Sequence, residues 1–128
     1  MNVMKETKTV IGYFKQNVID ALNLNIKAGT PIKFGEINKT HIKNRHPYEY
    51  DKYLKDINSI IAEPDYVGIN PKDNSIMYVK EYKVNSEFIR VGVKVSGNNT
   101  YYAKTLHLLS SYNAEKYIEK GTLVKVDK

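Results

Sequence analysis

Pro64 separates two kinds of hydrophobic periodicity, and that change limits what the chain can fold into. Before it, Tyr50, Tyr53, Leu54, Ile57, Ile60 and Ile61 recur at helical spacing, with Asp51, Lys52, Lys55, Asp56 and Asn58 opposite. The spacing predicts an amphipathic helix over 50–62, stopped by the proline. After it, Ile89, Val91, Val93 and Val95 alternate with Phe88, Arg90, Gly92 and Lys94, the period of a strand over 88–95. Residues 75–82 and 101–109 read as its neighbours, with Gly97, Asn98 and Asn99 as the hairpin turn between 95 and 101. A short strand over 66–69, a turn over 70–74 and a last edge strand over 122–126 complete this half. Helices first and strands second predict an α+β domain whose helices cover one face of an antiparallel β-meander, with the other face open.

The remaining elements are shorter. Residues 9–14 read as a strand, 16–24 as a helix, and 25–31 as a loop containing Gly29 and Pro31. Asn38 or Thr40 caps a helix of at most two turns that ends at His46, because Pro47 disfavours helical backbone in the residue before it. Near the other terminus, Asn113 caps a helix over 114–120 that Gly121 ends. At 128 residues the chain makes one domain over 1–128, with residues 1–8 loosely ordered. No apolar run reaches membrane-spanning length and no signal-peptide core follows Met1, so the expected location is cytoplasmic, with no membrane partner.

Cysteine is absent, which removes disulfides, thiol nucleophiles and cysteine metal sites. The formal net charge is +6, which favours polyanionic partners, RNA among them. The cations concentrate in His41-Ile-Lys-Asn-Arg-His-Pro47, where two of the three histidines, one of two arginines and Lys43 fall within seven residues. Paired histidines invite a metal, but no acidic cluster stands near to complete a site, so neither metal nor other cofactor is expected. Phosphate-binding glycine motifs and a Gly-x-Ser-x-Gly elbow are also missing.

RNA cleavage without a metal needs less. A base takes the 2′-OH proton, an acid protonates the departing 5′-oxygen, and cations stabilise the phosphorane. His41, Arg45 and His46 supply those groups, with either histidine as base and the other as acid. Lys43, Arg90 and Lys104 are candidate phosphate contacts, as are the hydroxyls of Ser110, Ser111 and Tyr112. Strict alternation puts Arg90 with Lys94 on one strand face, and Lys104 and His107 on opposite faces.

The order of these pieces, His41-Ile-Lys-Asn-Arg-His46, a helix ending Ile60-Ile61-Ala-Glu-Pro64-Asp65, and three strands closing on Ser110-Ser111-Tyr112, resembles the phage-associated branch of the BECR nucleases. That family is named for barnase, EndoU, colicin tRNases and RelE. The resemblance spans residues 9–113. It implies helices on a four-stranded meander and a metal-independent endoribonuclease of phage or toxin type, cutting RNA, tRNA included, through a 2′,3′-cyclic phosphate, with an immunity or antitoxin protein as a further partner. Residue by residue it implies catalytic positions at His41, Arg45, His46 and Ser110, with Tyr112 beside the serine. Alternation instead favours Ser111, which shares parity with Thr105 and His107. An inactive RNA- or protein-binding module of the same fold, in a phage or mobile-element protein, is the alternative.

Overall fold

The computed structural model describes residues 8–127. The loosely ordered start expected over 1–8 therefore falls, but for Lys8, outside the described residues. The chain order is β1 (Lys8–Tyr13), α1 (Gln16–Leu22), β2 (Pro31–Gly35), α2 (Glu36–Arg45), α3 (Pro47–Tyr53), a 3₁₀ turn (Leu54–Asp56), α4 (Ile57–Ala62), β3 (Tyr66–Ile69), β4 (Ile76–Tyr82), β5 (Glu87–Val95), β6 (Tyr101–Leu109), α5 (Ser111–Lys120) and β7 (Leu123–Lys125).

The fold is α+β, but its sheet is not a four-stranded meander. Seven strands form one mixed sheet in the order β1-β2-β6-β5-β4-β3-β7. Strands β3 to β6 are consecutive and antiparallel, as the alternation predicted, and β7 extends them beside β3. On the other side β2 joins β6 in parallel, through Ile32 with Tyr101 and Lys33 with Tyr102, and β1 pairs antiparallel with β2. Strand β2 was not foreseen. Its partner lies about seventy residues away, and a five-residue segment bounded by Pro31 and Gly35 carries no alternation long enough to read.

The sheet has two covered faces. On one, Ile76 and Tyr78 of β4, Ile89, Val91 and Val93 of β5 and Leu106 of β6 pack against Val18 and Ile19 of α1, Ile42 of α2, Tyr53 of α3 and Ile57, Ile60 and Ile61 of α4. The predicted helix over 50–62 is therefore a succession, α3, a 3₁₀ turn and α4, but the apolar stripe points inward as its spacing required. The second face, expected to stay open, is partly covered by α5. Ala114, Tyr117 and Ile118 pack there with Met77, Val79, Phe88, Leu109 and Leu123.

Several boundaries moved for identifiable reasons. Helix α2 begins at Glu36 rather than at residue 39, because Asn38 serves as its third residue and accepts a hydrogen bond from the Gly35 N–H at 3.1 Å. Helix α5 begins at Ser111, since Ser110 and not Asn113 is the cap: Ser110 Oγ accepts from the Asn113 N–H at 3.1 Å. Among the described residues no helix is long and apolar enough to cross a membrane.

Candidate active site

The local backbone at His46 begins the site. His46 ends α2, donating its N–H to the Ile42 carbonyl at 2.7 Å, and it starts α3, accepting from the Tyr50 N–H at 2.8 Å. Its φ of −134° and ψ of 61° are non-helical, and Pro47 occupies the first turn of α3, where its missing N–H costs nothing. The chain turns at His46, so its ring leaves the line of α2.

What the ring meets depends on the edge of β6. Pairing with β2 stops at Tyr102, and among the described residues no strand pairs with the outer edge of 104–109. Helix α3 takes that place: Glu49 Oε2 accepts the Leu108 N–H at 2.9 Å, satisfying a backbone donor that an edge would otherwise expose. With α3 pinned there, the His46 ring lies on that of His107, centroids 4.7 Å apart and planes 25° from parallel. His46 Nδ1 is 3.8 Å from Glu49 Oε2.

His107 is opposite Arg90 in the β5–β6 ladder, both on the second face with α5. Arg90 Nη2 contacts His107 Nε2, and His107 Nδ1 lies 3.1 Å from Thr105 Oγ1. Burial, and then the charges of Arg90 and His46, push the His107 imidazole down to about 4, so it is neutral near pH 7. A guanidinium can only donate, which makes Nε2 the acceptor and assigns the ring proton to Nδ1, donating to Thr105. Burial also lowers Arg90, while the Tyr117 hydroxyl from α5 and the charge of Asp73 act to hold its proton. Nη1 lies 3.6 Å from Met77 Sδ. Lys94, on the same face of β5, is instead satisfied by Asp73 at 3.6 Å.

A β-bulge tunes this geometry. Gly92 faces Thr105 but Val93 faces Ala103, so Lys104 is an extra residue in β6. The bulge reverses the alternation: Ala103 and Leu106 both enter the helix-covered core, and Lys104 does not lie opposite to His107 as strict parity predicted. Gly92 is needed here, because a Cβ would stand 2.9 Å from Thr105 Cγ2.

The other predicted site residues are distributed more widely. His41 stands exposed on α2 beside Glu36, Ile37, Thr40 and Asn44, and among the described residues no ring contact joins it to His46. The turn at Pro47 carries the His46 ring to His107 and not to His41. Arg45 is exposed at the end of α2, and Lys43 lies over the Tyr50 ring at 5.8 Å. Lys104 is exposed over the Tyr102 ring at 5.3 Å. Ser110 is occupied as a helix cap, while Ser111 and Tyr112 are exposed in the first turn of α5. Of the predicted residues, the structure thus brings His46 and Arg90 together. Sequence reasoning passed over Glu49, Thr105 and Tyr117 and noted His107 only for its strand face. The signal available for the last was a histidine and an arginine on adjacent predicted strands. Among the described residues no three His, Asp or Glu side chains are grouped to hold a metal ion.

A family model described as phage-Barnase-EndoU-ColicinE5/D-RelE like nuclease3 matches residues 9–126. The chain belongs to this nuclease family. The match extends beyond the resemblance noted over 9–113 and takes in α5 and β7, so Tyr117 lies within the family domain. Neither a curated protein nor a solved structure matches the chain significantly. In this member of the family, two imidazoles and a guanidinium are gathered between two carboxylates, Glu49 beside His46 and Asp73, whose charge acts on Arg90 and His107.

Proposed function

We propose that the protein is a metal-independent endoribonuclease that cleaves RNA by attack of the 2′-oxygen on the adjacent phosphorus. The observation that carries this reading is the stacked His46–His107 pair with Arg90 against it. His46 is the base: its imidazole takes the 2′-OH proton, and the Glu49 carboxylate stabilises the imidazolium that forms. Arg90 stabilises the charge on the phosphorane, in a half-buried position where that interaction is stronger than in water. His107 acts as a positioning residue, since both its nitrogens are engaged and its ring sets the place of His46 and Arg90. Tyr117, beside Arg90, donates the proton to the departing 5′-oxygen. The bond from phosphorus to the 2′-oxygen forms as that to the 5′-oxygen breaks, leaving a 2′,3′-cyclic phosphate and a 5′-hydroxyl. Lys43 and Arg45, along α2, add positive charge for the flanking strand, with the His41 ring beside them, and the exposed hydroxyls of Ser111 and Tyr112 lie at the start of α5 for hydrogen bonds to it.

Purified protein incubated with mixed RNA in EDTA tests this. Cyclic-phosphate ends are expected, and far fewer of them with His46→Ala. Tyr117→Phe should slow RNA cleavage while sparing a nucleoside 3′-aryl phosphate, whose leaving group needs no acid. Intact RNA at every pH from about 5 to 8, with folded protein, would sink the proposal. A binding module that keeps the fold without the chemistry is favoured by one observation, the occupation of both His107 nitrogens. It predicts salt-sensitive RNA binding that His46→Ala leaves unchanged and no cleavage at all.

A further inference from the structure

Thr105 stands two residues before His107 on β6, on the same face of the sheet, and both substituents on its β-carbon are occupied. The methyl group lies over Gly92, its partner across the ladder, where a Cβ would come within 2.9 Å of it. The hydroxyl lies 3.1 Å from His107 Nδ1. A β-branched side chain has few open rotamers, so seating the methyl on Gly92 also aims the hydroxyl at the ring. The bulge at Lys104 and the glycine thus act together: the first sets Thr105 opposite Gly92, and the second leaves room for its methyl group.

His107 needs this partner because of what holds its other side. Arg90 can only donate, so Nε2 must keep a lone pair toward it and the ring proton must stay on Nδ1. The ring is neutral near pH 7, so a single proton is divided between the two nitrogens. A histidine side chain left to itself favours the other arrangement, with the proton on Nε2. Here that proton would face the guanidinium, donor against donor. An Nδ1–H with no acceptor is costly in a half-buried position, and the Thr105 hydroxyl removes that cost by accepting from it.

From this we infer that Thr105 is a positioning residue of the proposed centre: its hydroxyl holds His107 in the Nδ1–H form, and through that ring it keeps Arg90 in place for the phosphate. The consequence for rate rests on the role proposed for Arg90, whereas the consequence for the tautomer does not. Since Arg90 meets the charge that grows on the phosphorane, loss of the hydroxyl should appear in kcat and not in KM.

Two substitutions separate the two substituents. Thr105→Val keeps the methyl group on Gly92 and removes the hydroxyl, and Thr105→Ser keeps the hydroxyl. In nitrogen-15 correlation spectra of the imidazoles near neutral pH, His107 should be protonated at Nδ1 in the wild type and in Thr105→Ser. In Thr105→Val it should shift toward the Nε2–H form. On a defined oligoribonucleotide kcat should fall about tenfold in Thr105→Val, with KM within about twofold, and Thr105→Ser should recover most of the loss. Folded Thr105→Val with the wild-type tautomer and rate overturns the inference. So does a wild-type ring protonated at Nε2, or a Thr105→Ser variant as slow as Thr105→Val. The spectra need no RNA, so wild-type protein that cleaves nothing yet shows the valine-dependent tautomer overturns the cleavage reading and leaves the hold on His107 standing.

Discussion

Two polar clusters meet helix α3. On the helix-covered face Glu87, at the start of β5, accepts from the Tyr48 hydroxyl at 3.0 Å, from Lys52 at 3.3 Å and from the Tyr53 hydroxyl. Asn85 donates to Tyr53 at 3.3 Å, and Lys52 also donates to Tyr48 at 2.9 Å. One carboxylate meets one ammonium and the hydroxyls fill the remaining positions. At the β6 edge Glu49 lies 3.8 Å from His46 and is already bonded to Leu108, while Arg90 rests on His107 with the charge of Asp73 acting on both. The first cluster is an ion pair with its hydroxyls satisfied within the protein, whereas the second sets a guanidinium against a neutral imidazole. The difference separates a holding cluster from the one proposed to react: the Glu87 clamp fixes α3 to the β4–β5 hairpin, and α3 in turn delivers His46 and Glu49 to the strand edge.

Removing the reacting groups should give the largest effect. His46→Ala is expected to reduce RNA cleavage by about 10²–10⁴-fold and Arg90→Ala by about 10²–10³-fold, measured as kcat on a defined oligonucleotide. The half-exposed His46 should leave the thermal midpoint close to wild type. Glu87→Ala should do the reverse, lowering stability by about 1–2 kcal/mol in urea denaturation through the donors left unpaired, while kcat changes less than tenfold. Equal losses of stability and rate in all three variants would erase the distinction between the clusters.

Acid should separate them next. Hydrogen bonding from Tyr53, with smaller contributions from Tyr48 and Lys52, holds the Glu87 carboxyl below its usual range. A depressed carboxylate contributes stability above its unfolded pKa of about 4.3 and loses it as pH falls through the lower folded value. Glu87→Gln should flatten the stability curve below about pH 4.3. His107 has the opposite chemistry but the same direction. Its folded value of about 4 lies below the ordinary 6.5, so the unfolded chain binds the extra proton and stability falls as pH drops across that interval. His107→Gln should remove that slope between 6.5 and 4 and leave the Glu87 region intact.

The smallest effect concerns a polar group belonging to neither cluster. Among the described residues the Tyr78 hydroxyl is buried without a hydrogen-bond partner, and burial raises its pKa. Tyr78→Phe should be neutral or stabilising by up to about 1 kcal/mol in urea denaturation, with no change in cleavage.

Much of the frame was legible because its signals are local. Val91, Val93 and their neighbours alternate within one strand, and Ile57, Ile60 and Ile61 lie within two helical turns. The centre was legible only in part. His46 stood out by its neighbours in sequence, but its partner His107 is brought to it by an edge contact that neither segment encodes alone. Alternation also failed at Lys104, since one extra residue reverses every parity beyond it and nothing in Tyr-Tyr-Ala-Lys-Thr announces a bulge. Ser110 had two uses open to it, and the backbone of α5 took the hydroxyl.

The contact between Glu49 and Leu108 joins residues 59 positions apart, and Tyr117 lies further still toward the C-terminus. During translation His46 and Glu49 emerge long before the strand that orders them, and Arg90 emerges before the helix that lies over it. The centre therefore has no partial form that a growing chain passes through early. In a member of a nuclease family, this order leaves His46, His107 and Arg90 unassembled on the growing chain until β6 and α5 have been made and docked.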